Sequence, residues 1–139
     1  MMWKERYRVG VDLIDEQHIE LFKRLSHFIQ IVQNDIAWED KMAEVQETLD
    51  FMADYVVYHF DDEEKLQAEI NYPDIEIHKE AHRVFKEGIN SYVEIFEQGE
   101  FTEEKIKEFS AKLMTWLIMH VGKMDQKIGQ YVREKGGQA

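Results

Sequence analysis

The strongest constraint in this sequence is a conflict between its pattern and its chemistry. Four segments repeat apolar residues at three- and four-residue steps, the mark of helices that each bury one face. On those same stripes, where leucine would ordinarily stand, are five histidines and two acids: His18, His59, Glu63, His78, His82, His120 and Asp125. Imidazoles and carboxylates do not belong in a core unless something binds them. A pair of metal ions is the simplest partner that satisfies the whole set, so the pattern predicts a bundle built around a two-metal site.

The helices can be placed from their stripes and breaks. About residues 1–14 read as an arm, with Trp3 and Tyr7 available to pack on the bundle and Asp12 or Asp15 able to cap the first helix. That helix is expected over about 15–33, with His18, Leu21, Phe22, Leu25, Phe28, Ile29 and Val32 on one face. The second is expected over about 38–69, with Val45, Leu49, Met52, Val56, His59, Glu63 and Leu66 inward. Asn71-Tyr72-Pro73-Asp74 breaks the chain, and Pro73 suits a first helical turn. The third helix, about 74–98, carries Ile75, His78, His82, Phe85, Ile89, Tyr92 and Phe96, and Gly99 ends it. Thr102 is placed to cap a fourth over about 102–133, whose stripe is Ile106, Phe109, Leu113, Trp116, Leu117 and His120. The expectation is one all-α domain spanning 1–139: an up-down-up-down, left-handed four-helix bundle with an N-terminal arm. In that topology all five stripe histidines gather at one end.

Charge and composition narrow the function. The 139 residues hold 17 basic and 29 acidic side chains, a formal −12, which argues against nucleic acid or an anionic membrane as partner. There is no cysteine, so thiolate metal sites and a catalytic thiol are excluded, and a cytoplasmic location is expected. No segment approaches the length of a membrane-spanning helix.

The spacings define the chemistry. His59 and Glu63, and likewise His78 and His82, are four apart and project from one helix face, where an i,i+4 pair can hold one ion. A carboxylate can bridge two ions through its two oxygens, and imidazole suits iron. His120 and Asp125 are five apart, about 140° round an ideal helix, so both can reach one point only if the helix is irregular between them. Gly122 lies within that stretch. His27, about half a turn away from His18, is expected at the surface. Glu64 is expected to be solvated, and Met42, Met52, Met114, Met119 and Met124 are expected to pack in the interior.

This constellation resembles the hemerythrin family, specifically its bacterial single-domain members. The likeness rests on Val9-Gly10-Val11, Ile14-Asp15-Glu16-Gln17-His18, His59-Phe60-x-x-Glu63-Glu64, Tyr72-Pro73, His78-x-x-x-His82 and His120-x-x-x-x-Asp125. It implies a non-haem di-iron centre with an oxo or hydroxo bridge. One iron would be held by His78, His82 and His120, the other by His18 and His59, with Glu63 and Asp125 bridging. Dioxygen would bind reversibly at the open position of the two-histidine iron. Leu21, Phe22, Trp116 and Leu117 are expected to line a dry oxygen pocket, because reversible binding needs water kept out.

The implied role is oxygen transport, storage or delivery, with no catalytic residues and an oxygen-consuming enzyme as the candidate recipient. Two alternatives stand beside it. A sensor of oxygen, nitric oxide or redox state would act through a separate partner. A di-iron oxidase or peroxidase of ferritin-like type would use Glu-x-x-His motifs, but the residues three before the histidines are Asp15, Arg24, Val56, Ile75, Lys79 and Leu117. A monomer is the default expectation, with Trp38 and Tyr58 as candidate contact residues.

Overall fold

A computed structural model describes residues 3–135. After a short 3-10 turn, Glu5–Tyr7, the chain forms four long helices. Helix α1 is Asp12–Gln33. Helix α2 runs through Trp38–Phe51, a π turn at Met52–Val56 and Val57–Glu69. Helix α3 is Ile75–Glu97. Helix α4 runs through Glu103–Met119, a second π turn at His120–Met124 and Asp125–Lys135. The fold is an all-α four-helix bundle in which α1 packs against α2 and α4, and α2 against α3. None of these helices is long and apolar enough to cross a membrane.

The helix ends follow from local chemistry. Gly99 adopts φ +70 after α3, and the turn closes through Gly99 N–H to Phe96 O and Glu100 N–H to Ile95 O, both 3.0 Å. That geometry satisfies carbonyls the helix would otherwise leave unpaired. Asn71, φ 54, does the same after α2, with Tyr72 N–H bonded to Gln67 O at 2.8 Å. Thr102 Oγ1 accepts from Lys105 N–H at 3.1 Å and caps α4.

The start of α1 differs from the sequence reading. The helix begins at Asp12, and its N-cap is Val11 with no side-chain cap bond. Asp15 does not cap. Its buried carboxylate reaches back to accept from Val9 N–H at 2.6 Å and Gly10 N–H at 3.1 Å, so it ties down the arm. Gln126 Nε2 donates to Tyr7 O at 2.6 Å and fixes the arm to α4 as well.

The main core joins Leu21, Phe22, Leu25 and Phe28 of α1 to Val45, Leu49, Met52 and Val56 of α2, Ile89 and Tyr92 of α3, and Ile106, Phe109, Leu113 and Leu117 of α4. A smaller cluster of Val9, Ile14, Tyr72 and Ile128 gathers the arm, the α2–α3 turn and the last turns of α4. Met52 lies in the core as expected, whereas Met119 is 49% exposed. The π turn in α2 widens the helix by part of a residue step and resets the face beyond it. His59, Phe60, Glu63 and Gln67 are consequently buried, while Leu66 is only half-buried.

Candidate metal centre

Each helix contributes to one buried cluster. His18 comes from the second turn of α1, His59 and Glu63 from the last part of α2, and His78 and His82 from the start of α3. His120 and Asp125 bracket the π turn of α4, whose closing bond runs from Asp125 N–H to His120 O, five residues back. That wide turn brings His120 Nε2 to 3.4 Å from Asp125 Oδ1, which a regular helix could not do. The irregularity required by the five-residue spacing is therefore present. Gly122 serves it in a second way. A Cβ there would lie 3.2 Å from the Tyr7 ring, so glycine lets the arm lie against the widened turn.

All seven residues are at most 2% exposed, and the two carboxylates divide the five rings between their oxygens. Glu63 Oε2 faces His59 Nε2 at 3.2 Å and His18 Nε2 at 3.5 Å. Glu63 Oε1 faces His82 Nε2 at 3.3 Å, His120 Nε2 at 3.5 Å and His78 Nδ1 at 3.6 Å. Asp125 repeats the division, with Oδ2 3.0 Å from His18 Nε2 and Oδ1 3.7 Å from His78 Nδ1. Two groups able to hold an ion result, His18–His59–Glu63–Asp125 and Glu63–His78–His82, with Glu63 common to both.

These residues fit metal cations on structural grounds. All four oxygens of Glu63 and Asp125 are buried without a hydrogen-bond partner. The ring nitrogens of His18 and His59 face each other at 3.2 Å, as do those of His82 and His120. Carboxylate oxygens left without a donor among imidazoles in a dry interior are unfavourable until a cation sits among them.

The protonation states follow from the same crowding. Burial pushes Glu63 up, but the rings of His120, His18, His59 and His78 outweigh it and hold the carboxyl well below its usual range. Burial and the neighbouring Glu63 charge push Asp125 well above its usual range, against His120. Burial lowers His59 despite Glu63 beside it. Asp125 therefore holds a proton to higher pH than an exposed aspartate does, and a cation competes with that proton. Loading with cobalt(II) on the acidic side of neutral should release protons from this group, and binding should tighten as pH rises. Calorimetry in buffers of different ionisation enthalpy measures this, and a buffer-independent heat would contradict it.

Sequence reasoning missed the residues that hold the rings. Gln17 Oε1 accepts from His59 Nδ1 at 2.7 Å, and Gln17 Nε2 donates to Asp62 Oδ2 at 2.7 Å. His82 Nδ1 lies 2.8 Å from Glu64 Oε2. Glu64 is thus a ring partner rather than the solvated acid expected. The Gln67 amide sits 2.9 Å from His78 Nδ1. Acceptors such as Gln17 Oε1 and Glu64 fix the orientation of a ligating imidazole and raise its basicity, whereas the Gln67 amide holds the His78 ring in place. The available signal was adjacency: Gln17 precedes His18, Glu64 follows Glu63, and Gln67 lies one turn beyond it.

Aromatic rings complete the wall. Phe60 stacks on His82 at 3.8 Å between centroids, Trp116 stacks on His120 at 5.2 Å, and Tyr72 meets His78 edge-on at 5.4 Å. Of the four candidate pocket residues, Leu21, Phe22 and Leu117 are fully buried. Trp116 is half-buried and lies on the side of the three-histidine group. His27 is at the surface.

The sequence model of the Hemerythrin HHE cation binding domain matches residues 9–132. The chain belongs to the hemerythrin family. It is similar to the bacteriohemerythrin of Stenotrophomonas maltophilia, 30% identical over 133 residues that make up 96% of this chain and 82% of that one. The Clostridium acetobutylicum bacteriohemerythrin is 26% identical, covering 91% of this chain and 96% of its own length. That of Campylobacter jejuni is 28% identical, covering 89% of each. In this hemerythrin-family chain the matched region takes in the arm from Val9, the four helices up to the last three residues of α4, and every residue of the cluster.

Proposed function

We propose that this hemerythrin-family chain binds dioxygen reversibly at a pair of non-haem iron ions, and that it serves oxygen transport, storage or delivery rather than catalysis. The observation that carries this reading is the unequal division of rings. Glu63 and Asp125 offer one oxygen to each side, but one side has His18 and His59 while the other has His78, His82 and His120. Glu63 and Asp125 would hold both ions, and the two-histidine side, with fewer rings, would leave room for dioxygen. An iron pair with an oxo or hydroxo group would supply the electrons that dioxygen needs.

The protein's own residues do the rest. Gln17, held by Asp62, fixes the His59 ring on the open side, and Glu64 and Gln67 fix His82 and His78 on the closed side. Leu21, Phe22 and Leu117 are proposed to wall the open side and keep water out, which favours release of the ligand unchanged. Trp116 is proposed to back His120. Cytoplasmic placement and delivery to an oxygen-consuming enzyme belong to the same reading.

The test is an absorption spectrum of the anaerobically iron-loaded protein, exposed to oxygen and then degassed. A visible charge-transfer band that appears with oxygen and vanishes on degassing is the expected result. A band that never forms, or that decays to a ferric state which degassing does not reverse, would replace the carrier with an oxidase or a sensor.

A further inference from the structure

The inward stripe of α3 is not its only apolar seam. Ile77 and Val84 are 61% and 55% exposed, and with Ala81 and Gly88 they form a second stripe at steps of four, three and four. That 3.5-residue period is the seam of a helix packed along another helix. It borders a cleft of about 240 Å³ between α3 and α4, walled mainly by apolar side chains and floored by Phe85 and Trp116. The α3 backbone stands further from α4 than α1 does from α2, or α2 from α3.

Neither backbone geometry nor crowding among the described residues requires glycine at position 88. A Cβ there would meet nothing within 4 Å, its φ is not positive, and a mid-helix glycine costs about 1 kcal/mol relative to alanine. A close external neighbour would account for it.

We infer that a second copy of this chain covers this face, with the two α3 helices antiparallel about the point between His82 and Arg83. Large then meets small at every level. Ile77 of each copy lies over Gly88 of the other, and Val84 over Ala81, which is the pairing an antiparallel seam requires. The two-fold relation makes the patch its own complement. Charge favours this face over α2. Residues 38–69 hold eleven acids and two bases, whereas 75–97 hold five acids and three bases and 103–135 hold five acids and seven bases. Two chains of net −12 meet with less repulsion across α3 and α4 than across the acidic α2, which stays outside. Trp38 and Tyr58, the contact residues expected from sequence, lie on α2, where two copies repel. The inference is independent of what the metal centre binds.

Sedimentation velocity of the full metal-loaded chain over a concentration series tests it. The expected result is a dimer at sub-millimolar concentration. Val84→Glu and, separately, Ile77→Glu should weaken it at least about tenfold, with helical circular dichroism and metal stoichiometry unchanged. Because the chain has no cysteine, mixing Ala81→Cys chains with Val84→Cys chains under oxidation reads the register. The mixed disulfide should dominate over either self-disulfide. A wild-type chain that stays monomeric, a dimer indifferent to both glutamates, or prevailing self-disulfides would each overturn the proposal.

Discussion

Glu63→Gln should abolish tight loading of both metal positions, not one. Glu63 is the residue common to both groups of candidate ligands, and its two oxygens stand within 3.2–3.6 Å of rings on either side. Amide for carboxylate keeps the size but removes the negative charge and one of the two acceptor oxygens, so one ion loses a ligand atom and both lose the charge that holds them. The readout is thermal. An ion present at about a thousand times its dissociation constant stabilises the fold by about 4 kcal/mol. In a domain of this length that raises the melting temperature by on the order of 15 °C. The wild-type chain should show that rise on loading with cobalt(II) or with iron(II) under anaerobic conditions, and Glu63→Gln should lose most of it. His18→Ala should weaken chiefly one position, and the surface change His27→Ala should leave both intact. A Glu63→Gln chain that still takes up two ions with wild-type affinity would falsify the bridging assignment.

Gly129→Ala should be the most damaging of the single-methyl changes. A Cβ at Gly129 would lie 2.6 Å from the carbonyl oxygen of Val9 and 3.0 Å from its Cα. Those are backbone atoms of the arm, and Val9 is held from the other side by Asp15 at 2.6 Å, so no flexible side chain can give way. The arm must lift. Lifting it disturbs Val9, Ile14, Tyr72 and Ile128 together. Overpacking of this kind costs about 3 kcal/mol, or a melting temperature lower by roughly 10 °C. Proteolysis of the N-terminal segment should accelerate in parallel. An unchanged melting temperature with an equally protected arm would mean that the segment is not fastened as described. Gly88→Ala is the comparison, since the space there is open in the single chain, and at concentrations where the chain is monomeric it should leave stability unchanged or slightly higher.

The helices, their number and the identity of the seven polar core residues were legible in the sequence, for a physical reason. Helix periodicity is a local property, and a charged or imidazole side chain on an apolar stripe is anomalous wherever the helix ends up. Even the distortion in α4 was legible, because His120 and Asp125 cannot converge over five residues of regular helix. Asp15 was read as a possible cap because its position before an apolar stripe is a local signal. Its actual partners, the amides of Val9 and Gly10, depend on how the arm folds back, which no local pattern encodes.

What only the tertiary structure decided is which neighbours complete the site. Gln17 reaches His59 across the gap between α1 and α2, and Glu64 reaches His82 across that between α2 and α3. Their value lies in a distance between helices, and a polar residue half a step off the stripe looks the same whether it meets a ring or water. The π turn in α2 was equally hidden, because Met52–Val56 carries no glycine or proline and the widening is set by packing. The division of the Glu63 and Asp125 oxygens between two rings and three belongs to the same class. Sequence supplies which donors exist, because composition and period fix what is buried. Only the packed bundle assigns each donor to a side, because that depends on angstrom-scale positions of four separate helices.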